Sequence, residues 1–392
     1  MNDPPSEPLP LRRSRTGEVR PSSASVVPTG SRTTTPRGAV TREAASAFRH
    51  LRRSRGARLG SVALLCIVMV AVFADVLASD LPIACRFHGH LFLFPAATHP
   101  ALLATYDAAR FDAERAPGDW AIQPLVRFGP EQTSTRGEVA AMHPPRLFTE
   151  HPLGTDAYGR DVFARLVHGA RTSLGAALFA ALGFVAVGAF LGAFGGFFGG
   201  LLDGIVARLI EALSAFPTLV LVLIVQALVA HPSLWTLLAA IGLTRWPEVA
   251  RLVRAEVLLV SSQDYVLAAR ALGAGPWRIL RRHVVPNAVA PILVAATFGL
   301  ASVVLVEASL DFLRVGLPPG SPSWGETLSE TREHLGAWWL LVFPGMAVFV
   351  TVMALNLVGE ALRDALDPRL RATVGPDTRV GGLDAGAESG RS

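Results

Sequence analysis

Four arginines crowd one short stretch of a chain made mostly of apolar runs. Arg270, Arg278, Arg281 and Arg282 fall within "AARALGAGPWRILRRHVVPN" (Ala268–Asn287), around a Gly-Ala-Gly-Pro break. Such charge either keeps a solvated loop on one side of a membrane or presents a cationic face to another molecule. Arg245, Glu248 and Arg251 set both signs of charge at the depth of an apolar run. That suits the wall of a polar pathway, or an internal salt bridge that steadies a broken helix. His88, His90 and His99 have a spacing that could hold a metal ion, against the plainer reading of solvated histidines in a polar loop. His151 and Asp156 of "HPLGTD" stand among turn residues with no nucleophile beside them and read as structure. Glu211 and Glu307 read as interhelical or interfacial acids. The 392 residues contain no lysine, which excludes a G-x-x-x-x-G-K-[ST] phosphate loop and Schiff-base chemistry. No His-Glu-x-x-His set occurs either, so no catalytic residue, metal site or cofactor is assigned to this chain.

The elements that must position these residues are membrane helices. Half of the chain, 51%, is hydrophobic and the mean hydropathy is +0.41. A bilayer core takes about 20 apolar residues per helix, and the pattern predicts an all-α polytopic protein with six spans. These are 59–79, 174–194, 207–230 (with Pro217 inside), 235–255, 286–308 and 337–359. The fourth carries Arg245, Pro247, Glu248, Arg251 and Arg254, so it should face the protein interior. "GGFFGG" (Gly195–Gly200) reads as the stop of the second span. Residues 1–47, rich in Ser, Thr, Pro, Gly and Arg, read as a disordered tail. Residues 48–58 read as a basic helix at the membrane surface. Met1–Arg58 holds twelve arginines against four acids, whereas the charges of the 80–173 loop nearly balance. The asymmetry places both termini and the 264–285 loop inside, with the loops 80–173 and 309–336 outside. Cys66 lies within the first apolar run, so no disulfide with Cys85 is expected. The long basic flank reads as part of a retained anchor rather than a signal peptide.

Within the arginine-bearing stretch Tyr265, Ala268, Ala269 and Leu272 share one helical face, at i, i+3, i+4 and i+7. The two alanines let another surface come close. Gly273 and Gly275 end this helix, and Pro276 suits the first position of the next. There Arg278, Arg281 and Arg282 form one side and Trp277, Leu280 and Val284 the other. Pro286 and Pro291 start the fifth span. A loop needing charge alone would not need both amphipathic faces.

This segment resembles the EAA loop of ABC-importer permeases. Ala268, Ala269, Gly273 and Pro286 hold the matching positions. Leu267 stands where the family has Glu, and His283 and Val285 replace the usual Ile and Leu. "HPLGTDAYGRDVFARLVHGARTSL" (His151–Leu174) and "LPPGSPSWGETL" (Leu317–Leu328) resemble the C-type permease of dipeptide, oligopeptide and nickel importers. The likeness runs from about Glu150 to Leu370. The long loop with "WAIQPLVRFG" (Trp120–Gly129) is similar to the branch associated with microcin C and larger peptides.

The resemblance implies the type I ABC-importer permease fold and a bacterial inner-membrane location. It implies a transport subunit, not an enzyme, with ATP and Mg bound by two partner ATPase subunits. Further partners would be a B-type permease and an extracytoplasmic substrate-binding protein, with no nucleic acid. Ala268, Ala269, Gly273, Arg278, Arg281, Arg282 and Pro286 would couple the ATPase to the spans. Arg245, Glu248 and Arg251 would be candidates for the pathway, since a peptide carries charged ends. The alternatives are a nickel-uptake permease of the same family and an ion-coupled secondary transporter.

Overall fold

The computed structural model describes residues 54–366 apart from 104, 107, 134–140, 147–148 and 231–232. The expected tail 1–47, most of the basic surface helix and the end of the chain from 367 lie outside the described residues. What is described is mostly helical.

Helix α1 (Arg55–Val72) begins at Ser54, whose hydroxyl oxygen accepts the Ala57 N–H at 3.1 Å. A four-residue helix, α2 (Ala74–Leu77), continues it past Phe73. The following loop contains an element that the all-α reading did not include. Strands β1 (Ala84–Phe87) and β2 (His90–Leu93) pair antiparallel, the short helices α3 (Pro95–Thr98) and α4 (Ala108–Ala113) follow, and β3 (Trp120–Ile122) pairs with the other edge of β1. Cys85 and Phe87 project to one side and, with Leu81, Leu103 and Phe111, make a small core. Strands of three or four residues leave too little alternation to be read from sequence.

Helix α5 (Val162–Phe198) is capped by Asp161, which accepts the Ala164 N–H at 2.7 Å. It runs through the first glycines of "GGFFGG" and stops only at Gly199 and Gly200, both at positive φ. The third predicted span is two helices, α6 (Gly200–Ser214) and α7 (Thr218–Ala227), bent by 88°. Pro217 lacks an N–H and steers Phe216 away from the helical region, which is why the run breaks there. Helix α8 (Leu234–Ser261) starts at a Ser233 capping box and keeps Pro247 inside.

The chain then forms α9 (Asp264–Ala271), α10 (Pro276–Ile279), a π-helical turn (Leu280–Val284) and α11 (Val285–Phe312). From Pro276 to Phe312 the helix is continuous, so the second arm of the arginine-bearing segment is the first part of the fifth span. Pro286 offers no N–H to the turn before it, and its ring crowds the carbonyl four residues back. A widened π turn relieves both. Helix α12 (Trp324–Ser329) and the long α13 (Trp338–Leu366) complete the described residues.

Among the described residues four helical runs are long and apolar enough to cross a membrane, or five when α6 and α7 count as one broken span. Helix α8 spans about 42 Å at 1.5 Å per residue but carries charge. It is held by a stripe of small residues on α5. A Cβ on Gly188 would lie 2.6 Å from the Trp246 carbonyl oxygen. On Gly192 it would lie 2.4 Å from that of Ala250, and on Gly196 3.0 Å from that of Arg254. Glycines four apart share a face and let two backbones touch. Val249, Ala250, Val253 and Val257 of α8 are fully buried there.

Candidate functional site

The segment α9–α10 is an elbow. Helix α9 is anchored by one buried residue, Val266. Tyr265 and Leu272, on the alanine-bearing face, are 47% and 87% exposed. The helix ends in a Schellman arrangement, with Gly273 N–H donating to Arg270 O at 2.9 Å and Ala274 N–H to Ala269 O at 3.0 Å. Gly273 takes φ +79°, the left-handed geometry that this cap requires. Gly275 has ordinary φ, −65°, and precedes Pro276 at the start of α10.

Ile279, Leu280 and Val284 are buried, whereas Trp277 is 62% exposed. The expected Trp277–Leu280–Val284 side is therefore split. Leu280 and Val284 enter the core, and Trp277 lies edge-on to Phe194 and Phe198 at the end of α5, 5.6 and 6.2 Å between ring centres. Arg270 stands 5.6 Å over Phe197. Asn287 Nδ2 donates to His283 O at 2.5 Å and to the Tyr265 hydroxyl at 3.4 Å, which clasps α9 to the π turn. Arg278, Arg281 and Arg282 are exposed and make no ion pair among the described residues. Ala268 is exposed, Ala269 half-buried, and Pro286 half-buried at the start of α11.

Arg245 is buried in α8. It donates to the Ser302 hydroxyl of α11 at 2.5 Å and to Glu248 at 2.7 Å, and its guanidinium lies 5.9 Å from the Phe184 ring of α5. The Glu248 side chain is largely exposed. Arg251 is not joined to this pair. It donates to Ser214, at the end of α6, at 2.7 Å.

The remaining candidates are spread out. His88 donates its N–H to Asp119 and its ring faces the Glu114 carbonyl, and it sits with His99 at positive φ in separate turns. No group of three His, Cys, Asp or Glu among the described residues is placed to hold a metal. Glu211 pairs with Arg208 at the surface, and Glu307 accepts the Ser173 hydroxyl across α5 and α11 at 3.0 Å.

A charge cluster that sequence reasoning missed joins "HPLGTDAYGRD" to "LPPGSPSWGETLSE". Asp156 accepts the Tyr158 and Arg160 N–H groups and Arg160 Nε, the last at 2.6 Å. Arg160 Nη2 reaches Glu330 at 2.8 Å. Arg165 pairs with Glu326 and donates to the Gly320 and Ser321 carbonyls. His151 pairs with Asp161, and Trp324 Nε1 donates to Leu166 O at 3.0 Å. Burial, with Asp156 close by, pushes the Glu330 carboxyl up to about 7, against the pull of Arg165. A cavity of about 340 Å³ opens over the cluster between Tyr158 and Arg314. Both segments are dense in Gly and Pro, but neither carries a local sign of its partner.

Residues 185–372 match the model of the binding-protein-dependent transport system inner membrane component. The chain is 43% identical over 222 residues to the dipeptide transport system permease protein DppC of Escherichia coli K12, covering 56% of this chain and 74% of that one. It is 38% identical over 224 residues to DppC of Alkalihalophilus pseudofirmus, covering 57% and 73%. A Brucella suis chain named as a peptide transport system permease is 40% identical over 252 residues, covering 64% and 83%. The chain thus covers 73–83% of the length of these relatives. It belongs to the family of multi-pass inner-membrane permease components of ABC importers, in the DppC-type branch.

Proposed function

We infer that the chain is the C-type permease subunit of an ATP-driven importer that moves peptides across the inner membrane. The relatives above carry peptide or dipeptide in their names, which favours peptide over nickel. The observation that carries the reading is the elbow. It is a glycine-hinged pair of helices whose first arm exposes its small-residue face and whose second arm continues rigidly into α11.

In this proposal two ATP-binding subunits hold ATP and Mg and grip the elbow through Ala268, Ala269, Gly273, Arg278, Arg281 and Arg282. Pro286, in the first turn of α11, passes the movement into that helix. A ligand moves an equilibrium only through differential interaction with its two states, so the elbow must hold the ATPase in both. A second, B-type permease completes the pathway, and an extracytoplasmic binding protein delivers the substrate. Both termini and the elbow face the cytoplasm, on the arginine-rich side. Arg245, Glu248 and Arg251 line the pathway wall. Arg245 also ties α8 to α11, and the more exposed Glu248 and Arg251 meet charged peptide ends.

The test is reconstitution with and without the ATPase pair. Uptake that needs ATP and both subunits, and that Leu272→Arg abolishes together with ATPase co-purification, is the expected result. Uptake by the chain alone, driven by an ion gradient, would replace this reading with a secondary transporter. Glu248→Gln and Arg251→Ala should raise the KM for a peptide at normal expression; unchanged kinetics would remove both from the pathway.

A further inference from the structure

The three-stranded sheet has an uncovered side. Cys85, Phe87, Phe92 and Ala121 face its small core, so the alternation of a strand turns Ala84, Arg86, Leu91, Leu93, Trp120 and Ile122 the other way. Leu91, Leu93 and Ile122 are each more than half exposed and Trp120 is 42% exposed. An apolar patch of this kind on an otherwise polar unit marks a contact surface.

Two observations point to the occupant. The sheet is tethered to the end of the first span. Val126 N–H donates to Leu77 O at 2.9 Å, and Val126 O accepts the Ser79 N–H at 3.1 Å. Ile122 is four residues from that junction, a reach of at most about 14 Å. Val72, Phe73 and Leu125 carry exposed apolar surface along the way. The charges also differ between the two sides. On the core side Asp112 and Glu114, on or just after α4 whose Phe111 stacks on Phe87, are paired with Arg110, Arg115 and Arg127. Among the strand residues on the apolar side Arg86 is the one charge, exposed and without an ion pair among the described residues. A Trp-bearing apolar face around one arginine, with the acids turned away, is complementary to an anionic headgroup layer.

We propose that this sheet face lies on the outer leaflet of the membrane, with Trp120, Ile122, Leu91 and Leu93 at the headgroup boundary and Arg86 on lipid phosphate. The sheet thus steadies the outer end of α1 against the bilayer. Its occupant is lipid, not a protein partner.

The experiment places p-benzoylphenylalanine at Ile122 in the full-length chain and irradiates inner-membrane vesicles. Leu65, exposed on α1, is the lipid-facing reference and Asp112 the solvent-facing one. Lipid adducts at 122 should approach those at 65 and exceed those at 112 by about tenfold, as burial at an interface requires. An adduct to another protein at 122, or lipid adducts no more frequent than at 112, would overturn the proposal. Absence of lipid adducts at 65 would instead sink the membrane-spanning reading of α1, and the proposal with it.

Discussion

At Gly273 the backbone turns left-handed, and no atom lies within 4 Å of where a Cβ would stand. The constraint is therefore on torsion and not on space. A β-branched residue there costs about 1–2 kcal/mol and is relieved by changing the angle between α9 and α10. Gly273→Val should insert normally, keep its ATPase partners' hydrolysis and lose peptide uptake, measured together in proteoliposomes. Gly275, at φ −65°, has open space and no torsional need, so Gly275→Ala should leave uptake within about twofold. If both variants behave alike, Gly273 is not a hinge. Glu330 gives a residue-scale prediction in pH. Its folded carboxyl titrates near 7 against an ordinary 4.5, so the folded state holds the proton more tightly. That contribution to stability is fully present below about 4.5 and is lost as pH rises through about 7. Thermal unfolding of the solubilised protein should therefore show the wild type losing ground to Glu330→Gln between pH 5 and 8. A constant difference across that range would show that Glu330 is not held protonated.

Among elements, the contact of α5 with α8 decides whether a charged helix can live in the bundle. Helix α8 turns its small and β-branched residues to the glycine stripe, which leaves Glu248 and Arg251 free of that interface. Gly192→Leu should force the backbones apart, since even a Cβ there meets the Ala250 carbonyl at 2.4 Å. Overpacking of this kind costs about 1–3 kcal/mol, and in this bundle it should lower both the yield of folded protein and its unfolding temperature. Gly183, with nothing near its Cβ position, should accept Ala without loss. The long helices were legible because apolar runs of membrane length have few other uses. The elbow was legible because Gly273, Pro276 and the alternating faces are local signs. The 88° break at Pro217 was only half legible. A proline in a run marks a weak point, but whether the run bends or holds depends on neighbours, and Pro247 inside α8 shows the other outcome. The sheet was missed because its strands are too short for a period to show.

At the scale of the whole molecule, the loop before α5 and the loop after α11 are joined by charge, and this was not legible at all. Arg160 and Glu330 stand 170 positions apart, and nothing local in either segment names its partner. One arginine satisfies two carboxylates, Asp156 through Nε and Glu330 through Nη2. Removing it takes the nearest cation from both, leaving Asp156 chiefly its backbone N–H donors and Glu330 the Ala157 N–H. Breaking a buried ion pair from one side costs about 3–5 kcal/mol, more than the intact pair contributes. Arg160→Ala should therefore fold poorly, and Arg160→Lys should not restore it, because an ammonium cannot place two separate donors as a guanidinium does. The decisive comparison is the double variant. With Glu330→Gln added, Arg160→Ala leaves no carboxylate without a nearby cation, because Asp156 keeps Arg165 Nε at 3.6 Å. The double variant should unfold at a higher temperature than Arg160→Ala alone. Additive losses would mean that the two residues do not share one interaction, and that the loops are joined by packing of Trp324 and Trp339 instead.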